Sequence, residues 1–320
     1  MWTPILIASF GAYAEKLAGY LLPQQVLDNR AVRRTAELLP VALLAAIVPV
    51  AGAQEFPAKP VKIIVPWVAG GSTDSVGRII ANRLSETLGQ QFVADPRPGA
   101  NGNIAAEIVA RAPADGYTVL LSSSSVSVNP SLYASMPFDP EKDLTPVTKA
   151  GGSPNSWLVN PDFPARTMKE MIELIRKEPG KYSVGSPGAG TTPSLSIEQL
   201  KHDLKLNFVT VPFAGGGPMT QSLLGGHVPI VCGAIGNSVA LIKEGKIRAL
   251  GLTDKKRLET LPDIPTLDEM GIKDQEGETM VGVFVPAGTP KEIIVQLQRE
   301  IATVVKSPDI KARLLEVGVV

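Results

Sequence analysis

Three stretches of this sequence repeat one arrangement: a short apolar run, a turn rich in glycine, and then the start of a helical pattern. The stretches are VPWVAGG at 65–71, GSPGAGTTPSLS at 185–196 and VPFAGGG at 211–217. Beyond Phe56, short apolar runs alternate with helical patterns along the whole chain. This alternation predicts an α/β fold, in which helices pack on a sheet.

The three glycine loops also predict an anion site. Glycine lets the backbone come close to a ligand, and the first turn of a helix presents unpaired N–H groups with partial positive charge. One such loop alone is an ordinary connection in an α/β sheet, but three similar loops favour a shared site. The loops contain no lysine or arginine, and none has the order of a P-loop or of a dinucleotide-binding fingerprint. A singly charged carboxylate therefore fits them better than a phosphate.

Two later helix starts are readable from local residues. Thr167 and Glu170 have the spacing of a capping box, and the helix that follows has an apolar stripe. Thr289 is predicted to cap a late helix whose first helical position is Pro290.

Composition excludes several classes of protein and site. Lys plus Arg and Asp plus Glu both number 31, and no long basic run occurs, which argues against nucleic-acid binding. Cys232 is the only cysteine, so the chain has no internal disulfide and no zinc site built on paired cysteines. We predict neither a metal nor a cofactor.

Catalytic machinery is not visible in the sequence. The two histidines, His202 and His227, form no H-E-x-x-H pair, and the sequence has no G-x-S-x-G nucleophile elbow. The serine run at 122–125 offers a nucleophile, but no nearby base is identifiable. We therefore predict a binding protein without catalytic residues, and keep a serine-dependent hydrolase using this cleft as the alternative.

The N-terminal region has the features of an export signal. A basic region at 30–34, an apolar run at 38–50 and the small residues Ala51-Gly52-Ala53 follow one another. A membrane anchor is the alternative, but the run is short and contains two prolines. We predict cleavage near Ala53 and treat residues 1–53 as a leader. Residues 1–50 also weakly resemble a fragment of a small branched-chain amino-acid permease subunit.

Seven segments, taken in order, carry a family resemblance over nearly everything from Phe56 to Val320. They are FPAKPVKIIVPWVAGGSTD, DPRPGANGNIAAEIVARAPADGYTVLL, FDPEKDLTPVT, VPFAGGGPMTQSLLGGHV, IKEGKIRALGLT, LPDIPTLDEMG and VFVPAGTPKEIIVQLQREI. On these segments the sequence resembles the Bug receptors, the periplasmic solute-binding components of tripartite tricarboxylate transporters.

The resemblance implies a type II periplasmic-binding-protein fold, with two α/β lobes and a ligand cleft between them. It places residues 56–156 plus 280–320 in lobe one and residues 157–279 in lobe two. It implies a periplasmic, monomeric receptor that captures a small organic carboxylate for membrane permease subunits; a ligand-sensing receptor feeding a signalling partner is a further alternative. Family members usually continue with another helix where this sequence stops, which leaves open whether the sequence is complete.

The resemblance also implies which residues line the cleft. The loop from Pro66 to Asp74 and the loop from Ser186 to Thr192 would hold the carboxylate, partly through ordered water. The predicted ligand-binding residues are Pro66, Trp67, Ala69, Gly70, Gly71, Thr73, Asp74, Ser122, Ser123, Ser186, Gly188, Gly190, Thr191, Thr192, Phe213, Ala214 and Gly215. Ser194 replaces a histidine common in the family, and Gly233 replaces an acidic residue often found after the PIV strand. Both departures concern the residues that would contact the part of the ligand farthest from the bound carboxylate.

Overall fold

The computed structural model describes residues 56–68 and 72–319. By its internal contacts the chain divides after Phe56, and the described elements all belong to the unit that begins at Pro57. The predicted leader, with its export signal, lies outside the described residues.

Within these residues the chain forms nine strands and ten α-helices. The strands are β1 (Val61–Val65), β2 (Phe92–Pro96), β3 (Thr118–Ser123), β4 (Leu144–Val159), β5 (Ser183–Ser186), β6 (Val209–Pro212), β7 (Ile230–Ala234), β8 (Arg248–Leu252) and β9 (Glu278–Pro286). The helices are α1 (Ser72–Leu88), α2 (Asn103–Ala110), α3 (Ser125–Leu132), α4 (Pro140–Asp143), α5 (Met168–Lys177), α6 (Thr192–Asp203), α7 (Gly216–Leu224), α8 (Val239–Lys243), α9 (Lys291–Lys306) and α10 (Pro308–Glu316). The predicted α/β alternation is confirmed.

The strands form a continuous sheet in the order β2-β1-β3-β9-β4-β7-β5-β6, with β8 paired to β4. Strand β1 is parallel to β2 and β3, and β5 is parallel to β6 and β7. Between these two parallel groups lie β9 and β4, which run antiparallel to each other and to their outer neighbours β3 and β7. The sheet therefore has two parallel halves joined by two antiparallel strands.

Strand β4 belongs to both halves. Its first part, residues 144–154, pairs with β9, and its last part, residues 155–159, pairs with β7 and β8. The register shifts twice along the pairing with β9, after Pro146 and after Lys149. Such bulges increase the local twist of a strand, which suits a strand that passes from one half of the sheet to the other.

Each half has its own hydrophobic cluster. In the first half, Ile64 and Leu120 on the strands pack with Ala106 and Val109 on α2. In the second half, Trp157 on β4 is fully buried in a larger cluster, whose members on α5 are Met168, Met171, Ile172 and Ile175. These four residues are the apolar stripe of the predicted helix, and the Thr167 hydroxyl accepts a hydrogen bond from the Glu170 N–H at 3.2 Å. The predicted cap is therefore confirmed.

Candidate functional site

A cavity of about 510 Å³, including its opening to solvent, lies where loops from the two halves of the sheet meet. Its lining residues are Trp67, Val68, Thr73, Ser123, Pro187, Thr191, Thr192, Pro193, Gly215, Gly216, Ala234 and Thr279. All but Thr279 follow or end one of the parallel strands β1, β3, β5, β6 and β7. The carboxyl ends of parallel strands are where α/β sheets bind ligands. Thr279 lies at the amino end of β9, which is antiparallel to β3 and so starts at the same edge.

Three helices present their first turns to this cavity, namely α1, α6 and α7. Helix α6 is capped by its own chain, because the Thr191 hydroxyl accepts from the Ser194 N–H at 3.4 Å and donates to the Gly188 carbonyl at 2.8 Å. Helix α7 has no such cap: Gly215 precedes it and makes no side-chain cap hydrogen bond. The first turn of α7 therefore keeps N–H groups that can face an anion in the cavity.

The start of α1 combines a buried hydroxyl with an ion pair. Thr73 is 3% exposed and lines the cavity, and the next residue, Asp74, is 2% exposed. The Asp74 carboxylate accepts from the Arg78 Nε at 2.9 Å, and this hydrogen bond raises the pKa of the Arg78 guanidinium. Arg78 thus balances the negative charge that Asp74 places beside the cavity. The predicted site residues Ala69, Gly70 and Gly71 lie outside the described residues.

The loop between β5 and α6 lies against Leu132 on α3 and against Asn101, which both belong to the first half of the protein. A Cβ built on Gly190 would lie 2.1 Å from Leu132 Cδ1 and 3.0 Å from Asn101 Nδ2. Gly190 has a φ of +78°, which glycine adopts far more easily than other residues. Asn101 in turn donates to Asn129 Oδ1 at 2.7 Å. Glycine at 190 is therefore needed both for the turn and for close contact across the cleft.

A chain of side-chain hydrogen bonds joins α6 to the two antiparallel strands. The hydroxyl oxygens of Thr192 and Thr279 lie 3.0 Å apart, and the Thr279 hydroxyl donates to Asn155 Oδ1 at 2.9 Å. The Asn155 Nδ2 donates to the Ser196 hydroxyl at 3.3 Å, and that hydroxyl donates to the Thr192 carbonyl. This network fixes one wall of the cavity to the strands that join the two halves.

The lining has no formal charge of its own. None of the described residues that line the cavity has an ionisable side chain. The three undescribed residues of the first loop are alanine and glycine, which have no ionisable side chain. An anion in this cavity would therefore meet N–H groups and hydroxyls, without a lysine, arginine or histidine among the described lining residues.

Comparison with known proteins assigns the family. Residues 76–320 match the family described as "Tripartite tricarboxylate transporter family receptor" (TctC). The chain belongs to this receptor family. The receptor is 35% identical to Protein BugT of Bordetella pertussis over 262 residues, which are 80% of this chain and 79% of BugT. The recognition of a Bug receptor is therefore confirmed.

Solved structures show the fold of the receptor. It superimposes on Rpa4515 of R. palustris with adipate at a TM-score of 0.81 and 35% identity, covering 83% of this chain and 89% of that one. For the periplasmic binding protein BugD the TM-score is 0.78 and the identity 34%, and the superposition covers 82% of this chain and 88% of BugD. For MatC of Rhodopseudomonas palustris with bound malate the TM-score is 0.77 and the identity 31%, and the superposition covers 83% of this chain and 90% of MatC. The two-lobed periplasmic-binding-protein fold is confirmed, and the receptor is an extracytoplasmic solute-binding protein.

The receptor brings six of the predicted site residues together on the cavity: Trp67, Thr73, Ser123, Thr191, Thr192 and Gly215. The other predicted residues that the structure describes are not among the lining residues. Pro66 is buried near Gly102, and the ring of Phe213 packs on the cluster around Met219 and Leu223, while Ala214 is exposed. The hydroxyls of Ser122 and Ser186 are fully buried, each one residue before a lining residue, and have no hydrogen-bond partner in the described part of the chain. Contact of these residues with a ligand remains a prediction.

Two lining residues, Ala234 and Thr279, lie outside every loop that the sequence singled out. Ala234 ends the apolar run PIVCGA, so the carboxyl end of that run was a usable signal. Thr279 has no local signal, because only the pairing of β9 with β3 brings it to the cavity. At Gly233 an added Cβ would lie 2.5 Å from the Met219 Cε, so a larger residue there would have to displace the end of the Met219 side chain.

The serine run at 122–125 forms hydrogen bonds within itself. The Ser123 and Ser125 hydroxyl oxygens lie 3.1 Å apart, and Ser123 Oγ also accepts from the Ser125 N–H. His202 is exposed and pairs with Asp203 on the last turn of α6. The family and the structural neighbours are solute-binding proteins, which agrees with a receptor and not with the hydrolase alternative. No helix among residues 56–68 and 72–319 has the length and hydropathy needed to cross a bilayer.

Proposed function

We propose that this receptor captures a small organic carboxylate outside the cytoplasm and delivers it to the membrane permease subunits of a tripartite tricarboxylate transporter. The observation that carries the proposal is the convergence of three helix first turns on one cavity whose described lining is uncharged. N–H groups and hydroxyls at such a point hold a carboxylate well. Adipate and malate in the structures of two relatives support the same ligand class.

In the proposed complex the carboxylate lies between α1 and α7. The first-turn N–H groups of α7, beginning at Gly216, would donate to it from one side, directly or through water. The Thr73 hydroxyl would donate from the other side, and the loop containing Gly70 and Gly71 would add backbone N–H groups. Asp74 would act indirectly, because two carboxylates in contact repel each other and Asp74 already pairs with Arg78.

Two variants of Thr73 test this arrangement. Saturation with a bound carboxylate at about one hundred times the dissociation constant should add roughly 2.7 kcal/mol to the free energy of unfolding of the wild type. Thr73→Ala should lose a hydrogen bond to a charged group, about 1.5–3 kcal/mol, which weakens binding about ten- to a hundredfold. Thr73→Ser keeps the hydroxyl and should bind nearly as well as the wild type.

Thermal unfolding with a panel of mono-, di- and tricarboxylates provides the measurement. If no carboxylate stabilises the wild type, the proposed ligand class is wrong. If carboxylates stabilise the wild type and Thr73→Ala equally, the class stands but the carboxylate lies elsewhere.

The remaining parts of the proposal concern processing and movement. We propose cleavage near Ala53, so that the exported chain begins at Gln54, and N-terminal sequencing of the exported product tests this. We also propose that the lobes, with the boundaries 56–156 plus 280–320 and 157–279, close on the ligand as a monomer. Small-angle scattering should show a smaller radius of gyration at saturating ligand and a monomeric mass throughout.

A further inference from the structure

We infer that Leu132 and Asn101 are positioning residues, which contact the loop at 188–190 and hold the two lobes of the receptor together when it closes. The contact of these two side chains with Gly188 and Gly190 is called the closure contact below. The inference rests on the proposed function, because it concerns how the proposed closure is held. None of the four residues lines the cavity, so their effect on a ligand is indirect.

The two lobes approach each other closely at this point. Leu132 ends α3 in lobe one, and a Cβ on Gly190 in lobe two would lie 2.1 Å from its Cδ1 and 3.6 Å from its Cγ. The Asn101 side chain lies against the same loop, 3.0 Å from a Cβ on Gly190 and 3.7 Å from a Cβ on Gly188. This loop also contributes Thr191 to the cavity lining. The closure contact is therefore next to the proposed ligand site.

The turn that carries Asn101 has a strained backbone. Asn101 has a φ of +53° and Ala100 one of +46°, in the left-handed region that residues other than glycine rarely adopt. Asn129, which is 1% exposed, accepts from the Asn101 Nδ2 at 2.7 Å and donates to the Asn101 carbonyl at 3.0 Å. Its Nδ2 also donates to Asn103 Oδ1 at 2.6 Å. Backbone strain that surrounding contacts maintain is typical of ligand clamps and switch regions.

The same turn packs on the first glycine loop and on α3. A Cβ on Gly102 would lie 3.2 Å from the Pro66 Cβ and 3.3 Å from the Ser125 hydroxyl oxygen. Pro66 begins the loop that we propose to hold the carboxylate, and Ser125 begins the helix that ends at Leu132. A ligand that orders the first loop would therefore also steady the surface that carries the closure contact.

The contact of Leu132 with Gly190 stabilises the closed form alone. Leu132 is 50% exposed with this contact in place, and the part that touches Gly190 is covered only when the lobes meet. Burial of apolar surface is favourable. A ligand that binds the closed form gains apparent affinity as that form becomes more populated. Leu132 therefore raises the affinity without touching the ligand.

Paired cysteines test the closure contact without a ligand. In Leu132→Cys with Gly190→Cys, the Sγ at 132 would take the place of the Leu132 Cγ, 3.6 Å from the Cβ at 190, which is within reach of a disulfide. Mild oxidation should link these two positions within one chain, as peptide mass spectrometry detects, and leave the fully buried Cys232 reduced. Leu132→Cys with Gly180→Cys is the matched control, because Gly180 has nearly the same φ and a Cβ there meets no atom within 4 Å. A folded Gly190 pair that links no faster than the control pair would overturn the inference.

Isothermal titration with adipate and with malate tests the effect on binding. Leu132→Ala should bind a probe about three- to tenfold more weakly than the wild type does, and its dissociation rate should rise by a similar factor. Leu132→Met keeps a long apolar side chain and should bind as the wild type does. Val93→Ala on β2 removes an apolar side chain of similar exposure, 46%, and should also keep the wild-type affinity. Wild-type affinity in Leu132→Ala would overturn the inference while leaving the proposed function intact.

Failure of the proposed function gives a different result. If neither adipate nor malate binds the wild type, the crosslinking experiment alone decides the inference. If no mono-, di- or tricarboxylate stabilises the wild type, the proposed ligand class is wrong whether or not the cysteine pair forms its disulfide.

Discussion

The hydroxyls of Thr192 and Thr279 lie 3.0 Å apart, although 87 residues separate them in the sequence. Because the Thr279 hydroxyl donates its hydrogen to Asn155, Thr192 must be the donor to Thr279. The start of α6 is thus attached to β9 and, through Asn155, to β4. A ligand that contacts this wall contacts both halves of the sheet at once.

Removing the Thr279 hydroxyl should destabilise the protein. Thr279→Val keeps the shape of the side chain but leaves the fully buried Asn155 Oδ1 without this donor. A buried acceptor that loses its partner costs about 1–3 kcal/mol. Urea denaturation without ligand should show that Thr279→Val lowers the free energy of unfolding by an amount in this range. Thr279→Ser keeps the donor and should lower it clearly less. No loss in Thr279→Val together with a loss in Thr279→Ser would mean that packing of the methyl group, and not the hydroxyl, is what matters.

Glycine 190 should be more sensitive to substitution than Gly180, although both have nearly the same φ, +78° and +79°. Alanine in this left-handed region costs roughly 1–2 kcal/mol at either position. At Gly180 the added Cβ meets no atom within 4 Å, whereas at Gly190 it would lie 2.1 Å from Leu132 Cδ1. Gly190→Ala should therefore unfold at lower urea concentration than Gly180→Ala, and Leu132→Ala should remove the difference. Two equally stable glycine variants would show that Leu132 moves aside freely.

Gly152 on β4 and Glu278 on β9 are in contact, and we predict that substitutions at these two residues have non-additive effects on stability. A Cβ on Gly152 would lie 1.1 Å from Glu278 Oε1, so Gly152→Ala must displace the Glu278 side chain from Lys149. That ion pair is exposed, and we expect its loss to cost at most about 1 kcal/mol. In a Glu278→Ala background the Gly152→Ala substitution should have little effect. A double-mutant cycle in urea measures this coupling, and additive effects would contradict it.

Cys232 should be unreactive in the folded receptor. Its side chain is fully buried, and this burial raises the pKa of the thiol well above its usual range. The folded state therefore favours the protonated thiol. The contribution of this thiol to the free energy of unfolding is complete below the pKa of the unfolded thiol, about 8.5, and decreases as pH rises above that value.

Because Cys232 is the only cysteine, its reactivity can be measured directly. Iodoacetamide at pH 8 should label the native chain roughly a thousandfold or more slowly than the chain in urea. Rapid native labelling would show local opening around β7.

Local residue chemistry was enough to predict most elements of the fold. Thr167 and Glu170 specify a helix start through groups only three residues apart, and the structure forms that cap. The prediction for Thr289 was wrong: α9 begins at Lys291 without a side-chain cap, and the Thr289 hydroxyl donates to the Pro286 carbonyl at 2.7 Å. The hydroxyl had two acceptable local partners, and the sequence does not rank them.

The cavity was predictable only in part, for a related reason. The glycine loops follow parallel strands, so their positions at one edge of the sheet follow from the α/β pattern. Thr279 reaches the same edge because β9 runs antiparallel, and the direction of a strand is set by partners far away in sequence. The same applies to Asn101 and Leu132, whose contact with Gly190 depends on how the two halves approach each other.

The pairing of β3 with β9 also determines when the protein can finish folding. The Met280 N–H donates to the Ser124 hydroxyl across 156 residues of sequence, and the strands on either side of this bond share one half of the sheet. The entropy of closing so long a loop must be overcome before this pairing gains any stability, and distant contacts of this kind slow folding. Until synthesis has passed β9, the amino-terminal half lacks one of its own strands. A chain that cannot complete its first half early stays unfolded for longer, and this delay would favour the export that we propose for the receptor.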